Sequence, residues 1–450
     1  MNYQSKETIF EINNICKWNL ETHKTVYPPR EDTYLLANAI LKLKKHEGLA
    51  MEIGCGSGAI SMLLATLGWK VIAYDVNPYA VACARGNVRK YNLENSVIIE
   101  EGGIGENIDI SEKIDIIIWN LPYLDPTIQG EKKLEYIEDA AYLDLQNDGW
   151  NRRLIDTLET YKISDGCVVM LLFRTVPESN SSPFLWKERG WSGRKITEEI
   201  IGDEKIEVHA FWKPGRNISP VIIEKCRSTM DEIKKNNSNN WTRIMAKKQT
   251  KGRGRRNTVW KSDVEDMVAT WKISKNILEE ISPGILQITA GASIANMLKI
   301  GLKWPNDLFS NDFRKMGGII IESDSENDSL RIGVGINKKK KINEELFTSS
   351  GWEETLGELK NIDIYNMVDI ALSSNFENHH ILPSVYRQEM IDLSWKSLSK
   401  IFSRGVLIEY EKYNYRAIGL SEEGTIELLN RSKLVSVDDL EKIEWKFDMC

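Results

Sequence analysis

Between about Leu49 and Trp212, short apolar runs alternate with longer amphipathic ones. That alternation restricts the fold more than any other feature of the chain. LAMEIG reads as a buried strand, and after CGSG comes AISMLLATLG, an amphipathic helix ended by Gly68. KVIAYD is a second strand and NPYAVACARGNVRKYN a second helix. SVIIE and IDIIIWN are two more strands, GCVVMLLF is a fifth, and KIEVHAFW reads as a late edge strand. Strands alternating with helices predict α/β architecture with a parallel, doubly wound sheet.

The chemistry-bearing residues fall at strand ends. Gly54, Gly56 and Gly58 form GxGxG between a strand and a helix. Glycines there permit a tight turn and close approach of backbone to a ligand, although a plain packing turn explains them too. Asp75 ends the next strand, about twenty residues on, where a carboxylate can bind ribose hydroxyls. It could equally cap the helix that begins at Asn77-Pro78. These features alone suit NAD as well. The fourth strand runs into Asn120, Leu121, Pro122 and Tyr123. A side-chain carbonyl at a strand tip, a proline-fixed backbone carbonyl and an aromatic ring suit a planar NH2 group. The carbonyls accept its hydrogens, the ring closes over it, and the nitrogen lone pair is aimed at an electrophilic methyl group. A simple turn is the bland alternative.

IGCGSGAI, the Asp75 strand end and NLPY together resemble class I S-adenosylmethionine-dependent methyltransferases that act on amino or amide nitrogens. YPPREDTYLL (Tyr27 to Leu36) and DGWNRRLIDTL are similar to the HemK-like protein-glutamine methyltransferases, especially the branch acting on class I release factors. The likeness spans roughly residues 20–213. It implies methyl transfer to a glutamine side-chain amide, with Asn120, Pro122 and Tyr123 at the amide. Gly54, Gly56, Gly58 and Asp75 would hold S-adenosylmethionine. Glu31, Asp32 and Thr33 would help close the pocket; as an isolated trio they also read as a helix start with an acidic first turn. It further implies a small zinc-binding activator subunit. Leu121 replaces the first proline of the family motif, and NLPY is also the form of RNA adenine dimethyltransferases. The N6 group of an RNA or DNA adenine, and a non-catalytic binding module, therefore stay open as alternatives.

KPGRN (Lys213 to Asn217) is a compact break, after which the order of elements changes. The formal net charge of −7 excludes a generic nucleic-acid coat, so any polyanion site must be local. Yet six of the ten residues from Lys247 to Arg256 are basic. Gly252 and Gly254 free that backbone to wrap an anion, and Arg253 and Arg255 supply fork-shaped donors. A solvated loop or a nucleic-acid arm are the other readings. LKWPNDLF follows, with Lys303, Trp304, Pro305, Asn306 and Asp307. Lys303 before a rigid Trp-Pro pair is a fixed charge suited to a carboxylate attacking a phosphate; a strand-end turn would look similar. Gly317 and Gly318 precede one buried strand, and RIGVGIN ends another with Gly335 and Asn337. Ser228 and Thr229 follow VIIEKC; their hydroxyls could bind a polar headgroup, cap a helix, or do both.

STMDE, QTKGRGRR, LKWPNDL, GGIIIES and GVGIN, in that order, closely resemble biotin–protein ligases from about Ile218 to Trp445. The expected fold is therefore a Rossmann-like methyltransferase domain (1–214), an α+β ligase catalytic domain (218–396) and a small SH3-like β-barrel (397–450). The resemblance implies that biotin attacks the α-phosphate of ATP with Mg²⁺, and that a lysine of a biotin carboxyl carrier domain then attacks the biotinyl-adenylate. Lys303 would stabilise the developing charge, Arg253 and Arg255 would clamp phosphate, and Ser228, Thr229 and Gln249 would bind the ureido ring. Asn257 stands where the family repeats glycine. The lysine run 338–341 reads as a solvated turn or a contact for an acidic carrier. Six scattered cysteines give no CxxC pair and no disulfide framework, and no run approaches the length of a spanning helix. Those features point to the cytoplasm and no membrane partner.

Overall fold

A computed structural model of the chain describes residues 5–124, 143–145, 147–236, 241–254, 259–275, 281–324, 328–341, 349–431 and 433–446. It divides into two compact units, residues 1–217 with 379–383, and residues 218–378 with 384–450.

In the first unit, two strands lead into helix α1: β1 (Ser5–Ile12), β2 (Cys16–His23) and α1 (Glu31–Leu41). Next come β3 (Leu49–Ile53), α2 (Ala59–Leu67), β4 (Lys70–Asp75), α3 (Pro78–Lys90), β5 (Val97–Glu101) and β6 (Ile116–Asn120). After a helix at Gly149–Thr160, β7 (Val168–Val176), β8 (Ser192–Ile201) and β9 (Glu204–Trp212) complete the unit's strands. Along β6, Ile116 and Ile118 enter one apolar layer while Ile117 and Trp119 enter the other. A strand covered on both faces needs apolar residues at every position, which is why IIIW reads as a continuous run. The sheet order is β5-β4-β3-β6-β7-β9-β8, parallel from β5 to β7. The order reverses between β3 and β6, so the glycine loop after Ile53 and the end of β6 at Asn120 open side by side at a topological switch point.

Two expectations change here. KIEVHAFW is not at the edge: β9 lies between β7 and β8, and SGRKITEEII forms the edge strand. The N-terminal stretch, to which no element was assigned from the sequence, is an antiparallel hairpin running from Ser5↔His23 to Ile12↔Cys16. Its alternate residues Phe10, Ile12, Trp18 and Leu20 are buried. Residues 379–383 belong to this unit. Ile381 and Leu382 are fully buried in the apolar cluster of Ile40, Leu43 and Trp212, and the Lys44 N–H donates to the Ile381 carbonyl at 2.8 Å.

The second unit carries a seven-stranded sheet formed by β10 (Val221–Ile223), β11 (Thr242–Ala246), β14 (Met267–Ser274), β15 (Gly301–Lys303), β16 (Asp307–Phe309), β17 (Lys315–Asp324) and β18 (Ser329–Ile336). The order is β10-β11-β14-β18-β17-β16-β15, antiparallel except for β10–β11. A separate ribbon pairs β12 (Gly252–Arg253) with β13 (Val259–Trp260). Helix Pro283–Leu298 starts where Ser282 Oγ accepts the Ile285 N–H at 3.2 Å and proline takes the first turn. The C-terminal strands β19 (Leu407–Tyr410), β20 (Tyr413–Leu420), β21 (Ile426–Asn430), β22 (Lys433–Val437) and β23 (Ile443–Lys446) form an antiparallel sheet in the order β22-β21-β20-β19-β23. Among the described residues no ladder joins β22 to β23. Ile408, Tyr415, Ile426 and Leu428 share one apolar cluster with Trp271 and Ile319. Helix Arg387–Phe402 runs straight through the expected boundary at 396–397. Among the described residues no helix is long and apolar enough to cross a membrane.

Candidate functional site

A cavity of about 410 Å³ opens at the switch point of the first unit. Gly54, Gly56, Asp75, Asn120, Leu121, Pro122 and Tyr123 line it. Gly54 and Gly56 have φ of 68° and 53°, left-handed values that favour glycine. Asp75 Oδ2 accepts the Gly56 N–H at 2.8 Å and Oδ1 the Asn77 N–H at 2.9 Å. The helix cap after it is Asn77, whose side chain accepts from Tyr79 N–H. Burial pushes the Asp75 carboxyl upward, against those two N–H donors.

Gly58 lies outside the cavity; it precedes α2, where an added Cβ would meet Ala84 at 3.1 Å, so it serves helix packing. Of Glu31, Asp32 and Thr33 only Asp32 reaches the cavity. Glu31 is exposed, and Thr33 Oγ1 accepts the Arg30 N–H at the start of α1. Asn120 donates through Nδ2 to Asp32 Oδ2 at 2.9 Å, and its Oδ1 is buried without a partner. An unsatisfied buried acceptor costs roughly 1–3 kcal/mol, so a donor from a ligand is the natural complement. Tyr27, Arg30 and Glu204, which sequence reasoning did not single out as site residues, also line the cavity. Tyr27 was signalled by its place in YPPRED. Glu204 had no local signal, since β9 brings it in from far along the chain. Arg174 lies over the Tyr123 ring at 5.7 Å and pairs with Glu204 at 3.0 Å.

A second cavity, of about 400 Å³, lies wholly in the other unit. Ser228, Thr229, Gln249, Arg253, Gly254, Asn306, Asp307, Gly318 and Gly335 line it, with Trp260 and Lys315. Gln249 Oε1 accepts from the Thr229 N–H at 2.7 Å and from its hydroxyl at 3.1 Å. Ser228 also caps the helix Thr229–Glu232, accepting from the Met230 N–H. A Cβ on Gly335 would meet the Trp260 indole at 2.7 Å, so only glycine lets that ring lie against β18. The indole Nε1 is buried without a partner. Arg253 pairs with Asp231 and, at 2.7 Å, with Glu322.

Lys303, expected at the centre of this chemistry, does not line the cavity. Its ammonium sits over the rings of Phe309 (5.4 Å) and Trp445 (5.8 Å), and burial pushes its pKa down. Lys315, missed by sequence reasoning, lines the cavity and pairs with Asp307 at 2.6 Å. Its signal was the lysine just before MGG, two residues ahead of Gly317. Trp304, Gly317, Gly252 and Asn337 support the site rather than line it. Trp304 Nε1 donates to the Gly424 carbonyl, and Asn337 Nδ2 to the Ser350 carbonyl. A Cβ on Gly317 or Gly252 would strike backbone at 2.6 or 2.7 Å. Arg255 and Asn257 lie outside the described residues. The lysine run is largely neutralised: Lys338 pairs with Glu265 at 2.6 Å and Lys341 with Asp266 at 2.5 Å.

The first unit thus has the fold and strand-end cavity of a class I methyltransferase, and the second a mostly antiparallel sheet with a largely apolar pocket into which Arg253 and Lys315 bring positive charge. The family described as Methyltransferase small domain matches residues 28–152, and the Biotin/lipoate A/B protein ligase family matches residues 220–338. A Methanocaldococcus jannaschii protein named as a protein N5-glutamine methyltransferase is 36% identical over 167 residues, covering 36% of this chain and 78% of that one. The Bacillus subtilis bifunctional ligase/repressor BirA is 31% identical over 132 residues, covering 27% of this chain and 40% of that protein. The solved biotin protein ligase from Aquifex aeolicus, in complex with biotin and ATP, has a TM-score of 0.39 at 21% identity, covering 51% of this chain and 98% of that one. The chain belongs to the HemK-like protein-glutamine methyltransferases through its N-terminal half, fused to a ligase domain of the biotin/lipoate family.

Proposed function

We propose that the chain catalyses two group transfers. The first unit methylates the side-chain amide nitrogen of a protein glutamine, in a class I release factor. The second joins biotin, by way of biotinyl-AMP, to a lysine of a biotin carboxyl carrier domain.

The observation that carries the first reading is the orphaned Oδ1 of Asn120 in a cavity that also holds Asp75. S-adenosylmethionine, when bound, supplies the electrophilic methyl group. Asp75 would accept its ribose hydroxyls, with Gly54 and Gly56 leaving backbone close by. Asn120 Oδ1 and the Leu121 carbonyl, restrained by Pro122, would accept the two amide hydrogens under the Tyr123 ring, aiming the lone pair at the methyl. The Leu121 side chain is buried with Ile53 and Trp119, so the departure from a double proline alters packing beneath the loop and leaves the acceptors in place. Relatives named for glutamine favour that acceptor over adenine. The edge strand β5, with Ile98 exposed, offers a surface for a small activator subunit.

In the second unit, Ser228, Thr229 and the Gln249 amide would hold the ureido ring. ATP supplies the adenylyl group and would lose pyrophosphate, and the carrier lysine would then displace AMP and lose a proton. Arg253 and Lys315 would draw the biotin carboxylate and α-phosphate together and neutralise the charge that develops. Mg²⁺ would accompany the ATP phosphates; among the described residues no three acidic, His or Cys side chains gather into a metal site. We place both reactions in the cytoplasm, where thiols such as Cys55 and Cys167 stay reduced. The test is two labelling assays on the same protein: tritiated S-adenosylmethionine with a release factor, and labelled biotin with a carrier domain. Asn120→Ala should abolish only the first and Lys315→Met only the second. Full methylation by Asn120→Ala would refute the first reading.

A further inference from the structure

Asn120 can serve a substrate NH2 group in only one of its two amide orientations. With Oδ1 toward the acceptor it receives a hydrogen; turned over, it sets donor against donor. The chemistry of its neighbour decides which is adopted. Asp32 Oδ2, 2.9 Å from Asn120 Nδ2, can only accept, so the opposite flip would press a carbonyl oxygen against a carboxylate. Asp32 is itself fixed. Tyr27 donates its hydroxyl to the same Oδ2 at 2.9 Å, and Oδ1 accepts the Thr33 N–H at 2.7 Å. The carboxylate is buried, and α1 carries it to the tip of β6 from 88 residues upstream.

We propose that Asp32 is a positioning residue for methyl transfer: it locks the Asn120 carboxamide with Oδ1 toward the acceptor. Tyr27 and Thr33 hold the lock. The inference rests on the glutamine reading for its kinetics, though not for its geometry.

The test uses the full-length chain and a release factor. Asp32→Asn keeps the shape but removes the acceptor-only character. It should lower kcat about tenfold or more, with S-adenosylmethionine affinity and KM for the release factor little changed. Asn120→Asp opposes two carboxylates, so its residual rate should rise as pH falls. The double variant Asp32→Asn/Asn120→Asp restores a donor at 32 and an acceptor at 120, and should be faster than Asn120→Asp at pH 8. Wild-type kcat in Asp32→Asn, or a double variant no faster than Asn120→Asp, overturns the proposal. Chain labelled with ¹⁵N-asparagine gives a readout independent of turnover. One Asn120 side-chain amide proton, identified by its loss in Asn120→Ala, should exchange slowly and lose that protection in Asp32→Ala. An unchanged signal also overturns the proposal. A wild-type chain that methylates no glutamine, alone and with an added activator subunit, refutes the functional reading, while the amide signal still decides the role of Asp32.

Discussion

Lys315, rather than Lys303, should carry the charge stabilisation in biotin transfer. Lys315→Met removes an ammonium from the cavity wall and frees Asp307, its partner at 2.6 Å. Removing one fixed donor aimed at developing charge lowers a rate by roughly a hundred- to a thousandfold, or about 2.7–4 kcal/mol. Electrostatic repulsion from the uncovered Asp307 acts in the same direction. Lys303→Met removes a charge that burial already disfavours, and methionine keeps most of the apolar stem. What is lost is cation–π contact with Phe309 and Trp445, worth about 0.5–2 kcal/mol of stability and offset in part by the desolvation no longer needed. The assay is labelled biotin transfer to a carrier domain, run beside biotin-dependent pyrophosphate exchange to isolate the adenylation step. Lys315→Met should fail in both; Lys303→Met should retain both with a modestly lowered Tm. The assignment is refuted if Lys303→Met is inactive at unchanged Tm while Lys315→Met still exchanges pyrophosphate.

Other outcomes are equally specific. Arg253 must leave Asp231 and Glu322 before it can clamp a phosphate. Glu322→Gln should therefore lower the KM for ATP about twofold to fivefold in pyrophosphate exchange, and an unchanged KM argues against a latch. Glu52 is buried and accepts a hydrogen bond from Ser61; burial, with Asp75 adding to it, pushes its carboxyl up to about 8. Since the unfolded chain holds that proton less tightly, this group's contribution to stability is greatest below about pH 4, declines as pH rises towards 8 and is level above. Glu52→Gln should flatten the pH dependence of thermal unfolding of the first unit between pH 5 and 9; an identical slope in both proteins would contradict this. Leu382→Ala should destabilise the first unit by about 2–5 kcal/mol in urea unfolding followed by near-ultraviolet circular dichroism. A loss below about 0.5 kcal/mol would mean the segment is not part of that core.

What the sequence disclosed depended on how local the cause was. The parallel strands were legible because strands covered on both faces, such as Ile116–Trp119 ahead of the site residue Asn120, must be apolar along their buried length. The glycine loop and Asp75 were legible because one strand–turn–helix unit fixes them. The β1–β2 hairpin carries its alternation openly at Phe10, Ile12, Trp18 and Leu20, with polar residues between them. Lys303 and Lys315 could not be separated by inspection. They lie on different strands, and only the order β18-β17-β16-β15 sets one at the cavity and leaves the other half-buried against Phe309 and Trp445. Asp32 was visible as part of a motif, but its hold on Asn120 joins residues far apart in the chain. In the C-terminal strands, alternation specifies pairing between neighbours and says nothing of whether the first and last strands meet.

The return of the chain at 379–383 has a practical consequence for anyone who wishes to separate the two halves. A gene fragment ending at Asn217 would encode every strand of the methyltransferase sheet and still lack Ile381 and Leu382. Such a fragment would present a greasy furrow to water beside Trp212. A workable dissection grafts those five residues onto the fragment's end or adds them as a separate peptide.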